Sequence, residues 1–211
     1  MRYIHRTETL SCLNNAKKKY YTWTNFKKCN PEGYKLIVDE LTKIQDGLCV
    51  YCENELGQEY HVEHFRCRAK FPQIDLDWNN LFLSCQNKQH CGIYKDSAKK
   101  NKKYDINLIL KPDLEEDNPN KYFTYINNGD IACKSDLTEQ QKIKAEKTIA
   151  VLNLNDPSLA GLRRKVFIAL ESMIDPEKMK SEKLKYQDII DYVEKNPKEY
   201  GFPSLIESFL K

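Results

Sequence analysis

The chain has 211 residues, 40% hydrophobic and 11% aromatic, which is enough for one or two domains with a core and argues against wholesale disorder. Its longest uncharged apolar stretches, such as 106–110, fall far short of the ~18 residues of a membrane span, and Met1-Arg2-Tyr3-Ile4-His5-Arg6 lacks the apolar run of a secretory signal, so the sequence reads as a soluble, cytoplasmic protein. The net charge of +3 hides blocks: residues 1–35 carry 8 basic and 2 acidic groups and 66–103 carry 9 and 3, whereas 36–65 carry 1 and 7 and 104–140 carry 3 and 8. Basic blocks suit a polyanion, although a solvated surface is the commoner meaning of such runs.

Residues 11–29, rich in lysine and bearing Tyr20, Tyr21, Trp23 and Phe26, read as helix. Asn30-Pro31 supplies an N-cap and a proline at the first helical position, opening a helix with Leu36, Ile37, Leu41 and Ile44 on one side and Gly47 as its stop. From 48 to about 103 the chain turns into short apolar pieces (48–51, 61–65, 81–83) between polar loops, with a lysine-rich helix from Gly92. Residues 106–110 and 122–126 read as strands, and Asn128-Gly129 supplies a two-residue hairpin turn leading to Ile131. The last third is helical. Thr138 and Gln141 form a capping box before a helix ending near Leu154. A second helix carries Leu159, Leu162, Val166, Leu170 and Met173 and stops before Pro176; a third spans 181–193, and a short one follows Pro203. Arg163-Arg164-Lys165 reads as a basic patch that packs a partner or faces water.

Eight cysteines without an export signal point to metal or redox chemistry rather than a disulfide scaffold. Cys49-Val-Tyr-Cys52 places two thiolates in one tight turn, as a tetrahedral zinc needs, and Cys85 with Cys91 completes a closed, structural four-thiolate set. Two buried free thiols are the plainer reading of Cys49 and Cys52. The five residues between Cys85 and Cys91 make the second loop bulge, and His90 could take the place of Cys91. Between the pairs lie Glu63-His64 and Asn80. A carboxylate with an amide oxygen can hold a hard divalent ion such as Mg2+, and an imidazole with a pKa near ~6.5 can take a proton from water. With the ion stabilising phosphate charge, the set makes a one-metal phosphodiesterase. Each residue alone is weak: Glu-His pairs are common on surfaces, and Asn79-Asn80 pass as turn residues. The order within one short segment carries the signal.

Cys49-Val-Tyr-Cys52-Glu53, Glu63-His64-Phe65-Arg66, Asp77-Trp78-Asn79-Asn80-Leu81, Ser84-Cys85 and His90-Cys91-Gly92 with Lys95 resemble the HNH endonuclease family, and more closely its PtuB branch from Septu and certain retron antiphage systems. The likeness extends to Met1–Arg6 and to Thr148-Ile149, Leu152-Asn153-Leu154-Asn155 and Arg163-Arg164. It implies an α+β fold with an HNH ββα-metal core over 47–103, flanked by an N-terminal helical segment (1–46), a β-hairpin insertion (104–136) and C-terminal helices (137–211). It further implies His64 as general base, Glu63 and Asn80 at the site of a catalytic Mg2+ or Mn2+, and Cys49, Cys52, Cys85 and Cys91 around a structural Zn2+. The partner it implies is a PtuA-like ATPase that gates the nuclease in a hetero-oligomer.

Two positions depart from the family pattern. Gly92 stands where a histidine or asparagine is usual, so His90 becomes the candidate for a third catalytic group; Cys67 stands where proline is expected. His61 and His64 face opposite sides of a regular strand, so His61 would need a bend to act as a second ligand. Arg66, Arg68 and Lys95 are candidate phosphate contacts, with plain solvent exposure as the alternative. The expected activity is hydrolysis of nucleic acid, phage DNA first. The rivals are a nuclease of structured RNA such as tRNA and a non-catalytic zinc module that binds nucleic acid or a partner protein.

Overall fold

The computed structural model describes residues 1–97, 104–173, 177, 186–195 and 201–209. The expected first helix is broken into three short ones: α1 (Ser11–Asn14), α2 (Ala16–Tyr20) and α3 (Trp23–Cys29). The break before α3 falls at Tyr21, whose φ is +62°, and at Thr22, whose side chain accepts the Asn25 N–H at 3.3 Å. A hydroxyl that satisfies a free amide starts a new helix rather than continuing the old one. Asn30 caps α4 (Pro31–Ile44) in the same way, taking the Gly33 N–H at 3.0 Å. Helix α4 buries Ile37, Val38 and Leu41 and turns Leu36 outward.

Past α4 the buried Gln45 side chain acts as a short piece of sheet. Its amide donates to the Leu48 and Leu83 carbonyls at 2.9 Å each, and its oxygen accepts the Leu83 N–H at 2.8 Å. This fastens α4 to an antiparallel hairpin of β1 (Tyr60–His64) and β2 (Leu81–Cys85), in the register Tyr60↔Cys85 to His64↔Leu81. The one-turn helix α5 (Cys91–Lys95) follows and packs on β2. A second hairpin joins β3 (Phe123–Tyr125) to β4 (Ile131–Cys133), and its loop is the three residues 127–129 rather than the expected two-residue Asn128-Gly129 turn, because the Ile126 carbonyl accepts the Gly129 N–H at 2.8 Å and the Ile126 N–H donates to the Asp130 carbonyl at 3.0 Å. Its turn includes Gly129 at φ +92°, where a Cβ would lie 1.9 Å from the Ala160 carbonyl oxygen, so only glycine fits. Residues 106–108 form a 3-10 turn instead of the expected strand, because the Asp105 carboxylate accepts the Asn107 N–H at 2.9 Å and bends the chain.

The Thr138–Gln141 capping box opens α6 (Glu139–Leu152) as expected, and Asn153 in the left-handed region closes it. Among the described residues, helices α7 (Pro157–Met173), α8 (Tyr186–Lys195) and α9 (Pro203–Phe209) follow; residues 98–103 of the expected lysine-rich helix, and 174–176 and 181–185 of the expected C-terminal helices, lie outside the described set. In α7 the buried row contains Leu159, Arg163, Val166, Phe167 and Leu170, while Leu162 faces outward. Arg163 is fully buried, donating to the Gly129 and Leu154 carbonyls at 3.2 and 2.7 Å, whereas Arg164 and Lys165 are exposed. The expected three-residue surface patch thus loses its first member to the interior.

The architecture is α+β, helical with two small sheets. One core joins α3, α4, both strands of the first hairpin and α6 around the cysteine-bearing loops, and a smaller one lies between α7 and α9. Among the described residues no helix is long and apolar enough to cross a membrane.

Candidate active site

The four cysteines singled out by spacing converge. Cys49 and Cys52 lie on a tight turn held by the Glu53 N–H to Cys49 carbonyl bond at 3.0 Å; Cys85 ends β2 and Cys91 opens α5. All four Sγ atoms lie within 4.8 Å of one another, and those of Cys49 and Cys91 are 3.8 Å apart. Zinc–sulfur bonds of about 2.3 Å give a tetrahedron with edges of about 3.8 Å, so the donors fit a closed zinc site by kind, number and spacing. Cys91 adopts φ +63°, which lets the longer second loop return its thiol to the cluster. The Cys85 N–H points at the Cys49 sulfur at 3.4 Å, and His90 Nδ1 lies 3.1 Å from the Cys91 sulfur. His90 therefore sits beside the sulfurs, outside the set of four.

Glu63, buried on β1, lies over α5. Its Oε1 takes the Tyr51 hydroxyl at 3.0 Å and pairs with the Lys95 ammonium at 3.0 Å, and its Oε2 lies 3.1 Å from His61 Nε2. Burial pushes this carboxyl up, but Lys95 and His61 outweigh it and hold the pKa at about 2, so the group is a carboxylate at any working pH. The departure at Gly92 now has a physical reason. A Cβ there would lie 2.2 Å from Glu63 Oε2 and 2.6 Å from its Cδ; the missing side chain is the space the carboxylate occupies. Gly92→Ala is expected to displace Glu63 and cost about 1–3 kcal/mol, lowering the melting temperature by several degrees at this chain length. An unchanged melting curve would show that the carboxylate has room to spare.

His64 follows on the other face of the strand. Its Nε2 lies 2.9 Å from the Asp75 carbonyl oxygen. A carbonyl can only accept, so Nε2 carries the proton and Nδ1 keeps the lone pair. The ring meets Trp23 of α3 edge-on at 5.1 Å between centroids, and Trp23 N–H bonds to Asp75 Oδ2 at 2.8 Å. Burial lowers the His64 pKa to about 4, which leaves the imidazole neutral and able to accept a proton.

Asn80 ends the turn into β2 with its side chain spent on backbone. Its oxygen accepts the Arg66 N–H at 2.8 Å, and its amide donates to the Arg66 and Ile74 carbonyls at 3.1 Å each. It pins the loop that leaves His64. Asn80→Ala breaks all three bonds and leaves buried backbone groups unmet, so we expect a loss of about 2–4 kcal/mol in urea unfolding; a midpoint matching the parent would argue against this pinning.

The three expected phosphate contacts separate. Arg68 is exposed, reaching Thr24 at 3.3 Å. Arg66 is half-buried over Phe71, bonded to Asn107 at 2.9 Å, and lines a cavity of about 170 Å³ with Cys67, Lys70 and Tyr104. Lys95, by contrast, has no exposed surface, which corrects its expected place at the surface. Its ammonium faces Glu63 at 3.0 Å, Asp96 at 2.8 Å and the carbonyls of His64 and Phe65 at 3.2 and 3.1 Å. Tyr51 and Asp75 went unnoticed in the sequence because their partners, Glu63, His64 and Trp23, lie more than ten residues away.

The cysteine-anchored hairpin thus carries a buried carboxylate and a carbonyl-oriented imidazole, and the chain is similar to proteins named as HNH endonucleases. It is 29% identical over 172 residues to the HNH endonuclease assigned to retron Vc95 in Vibrio cholerae serotype O1 biovar El Tor, covering 76% of this chain and 79% of that one. The corresponding protein of retron Ec83 in Escherichia coli is 28% identical over 206 residues, at 79% of each chain. Septu protein PtuB of Bacillus thuringiensis is 29% identical over 127 residues, 58% of this chain and 42% of PtuB. No protein-family model matches the chain.

Proposed function

We propose that the protein is a metal-dependent HNH endonuclease, the nuclease subunit of an ATPase-coupled antiphage complex that cuts phage DNA in the cytoplasm. The observation that carries this reading is His64, a neutral imidazole whose Nε2 proton is committed to the Asp75 carbonyl, at the end of a hairpin held by four thiols. In this reading residues 47–103 are the ββα-metal core and the flanking segments dock it to the partner. His64 Nδ1 takes a proton from water as the water oxygen attacks phosphorus in line and the bond to the leaving oxygen breaks. Arg66 and Arg68, next along the chain, would contact phosphate in this reading.

The donor set bears on the catalytic ion. Asn80 has both amide hydrogens and an oxygen lone pair committed to backbone, whereas Glu63 Oε2 and His61 Nε2 lie 3.1 Å apart on one face of β1. Neighbouring donors on an octahedral ion with bonds of about 2.1 Å are about 3.0 Å apart. Glu63 would hold a divalent ion, with His61 beside it on the same face of β1, and Asn80 Oδ1, which accepts one hydrogen bond, keeps a second lone pair with which it would join them. Such an ion would stabilise charge on the phosphate oxygens and leaving group.

The likeness to Septu PtuB supports a PtuA-like ATPase as partner. The test is to incubate the purified protein, with and without that ATPase, with plasmid and with total tRNA in Mn2+, then with EDTA. Plasmid cleavage abolished by EDTA is expected. Cleavage confined to tRNA would reassign the substrate, and no cleavage of either in the presence of the partner would favour a zinc binding module.

A further inference from the structure

Lys95 is one of two fully buried basic side chains among the described residues. Lysine is almost never fully buried unless paired, yet this one is wholly enclosed, and four oxygens, three from residues 63–65 and one from Asp96, surround its ammonium at 2.8–3.2 Å. Two are carboxylate oxygens of Glu63 and Asp96; two are the carbonyls of His64 and Phe65. Asp96 is held in turn by the Tyr104 hydroxyl at 3.1 Å. A compact ammonium with three donors suits such an oxygen cage, where a planar guanidinium does not.

The cage solves a problem of strand geometry. Glu63 and His64 are neighbours on β1, so their side chains leave on opposite faces, with contacts to different partners: Tyr51, His61 and Lys95 for one, Asp75 and Trp23 for the other. Lys95 touches both residues, gripping the Glu63 carboxylate and the His64 carbonyl. It also lies four residues after Cys91, on the same face of α5, so the sulfur cluster that anchors α5 fixes where the ammonium stands.

Building on the nuclease reading, we propose that Lys95 is a positioning residue for phosphodiester hydrolysis: as an internal cation it ties the Glu63 carboxylate to the backbone at His64–Phe65 and so sets the direction in which both groups are presented. It contacts no substrate. Its loss should therefore lower kcat and leave binding alone, because a misplacement of about 1 Å costs on the order of 10²-fold in rate.

The test compares the parent with Lys95→Met, Lys95→Arg and Lys95→Ala in the full chain, with the ATPase partner present. Lys95→Met is expected to lower kcat about 10²-fold, with KM within about threefold and the salt dependence of binding unchanged. Lys95→Arg should fail as well, and added ethylammonium should restore part of the Lys95→Ala rate. An unchanged kcat would overturn the proposal, as would a raised KM with a salt slope smaller by about one, the mark of a phosphate contact. If the variants do not fold, 15N spectra of the parent decide. A caged ammonium gives a slowly exchanging Lys95 signal, whereas one exchanging as fast as surface lysines contradicts the proposal. A parent that cuts nothing would refute the nuclease reading and this proposal together; an active parent with an indifferent Lys95→Met refutes only the second.

Discussion

Substituting Cys52 with serine, or stripping the cluster with a strong chelator, is expected to unfold the centre of the molecule. The four cysteines belong to the same core as Ile37 and Leu41 of α4, Leu81, Phe82 and Leu83 of β2 and Ala145 of α6; Val50, inside the Cys49–Cys52 turn, also bonds to the Leu83 carbonyl at 3.0 Å. Structural zinc sites contribute about 10–16 kcal/mol in small modules, as much as the whole net stability of a typical domain, about 5–15 kcal/mol. Four thiolates without an ion would instead repel one another inside that core. The parent should carry about one zinc per chain by elemental analysis, and Cys52→Ser should lose both the metal and the cooperative melting transition. A Cys52→Ser protein that melts with the parent would remove zinc from the account.

Replacing His64 with alanine is expected to leave zinc content and fold intact while lowering cleavage by about 10²–10⁴-fold, the usual contribution of a positioned base. The acidity of the residue makes the prediction sharper. A base works when deprotonated, and burial puts the His64 pKa at about 4, below the ordinary 6.5. The parent should therefore hold its rate as the pH drops through 6 and lose it only toward pH 4. The same shift has a stability consequence of fixed sign. The unfolded chain takes up the proton near pH 6.5 and the folded chain only near 4, so His64 costs nothing above 6.5 and destabilises progressively between 6.5 and 4. His64→Ala should lack that part of the acid destabilisation. An acid limb at pH 6.5 in the rate profile would mean that the ring is solvated during catalysis.

What the sequence revealed and what it hid divide along a physical line. Features written in adjacent residues were legible: the Cys-x2-Cys turn, the Asn30-Pro31 and Thr138–Gln141 caps, and the presence of a hairpin around Asn128-Gly129, though not its loop length, all rest on contacts within a few positions. The interruption at Tyr21–Thr22 and the turn at Asp105 are equally local, but they hinge on one side chain competing with backbone hydrogen bonds, which periodicity does not register. The interiors of Lys95 and Arg163 were invisible for another reason. A charged residue goes inside only where distant chain supplies acceptors, and Lys95 finds Glu63 some thirty positions earlier, just as Arg163 finds Gly129. Gly92 belongs with these: as a letter it looked like a missing ligand, while in space it is the recess that Glu63 fills. The part Asn80 plays in closing the loop after His64 likewise follows from contacts that spacing alone leaves open.

The central claim, that the imidazole of His64 performs the proton transfer, is tested most directly by supplying that group from solution. His64→Gly, with its zinc content verified, would be incubated with substrate, divalent ion and the ATPase partner in rising concentrations of free imidazole. The account predicts cleavage close to background without imidazole and a rate that climbs with its concentration, following the neutral form as pH varies. A variant that cuts at the parent's rate with no imidazole added would contradict it.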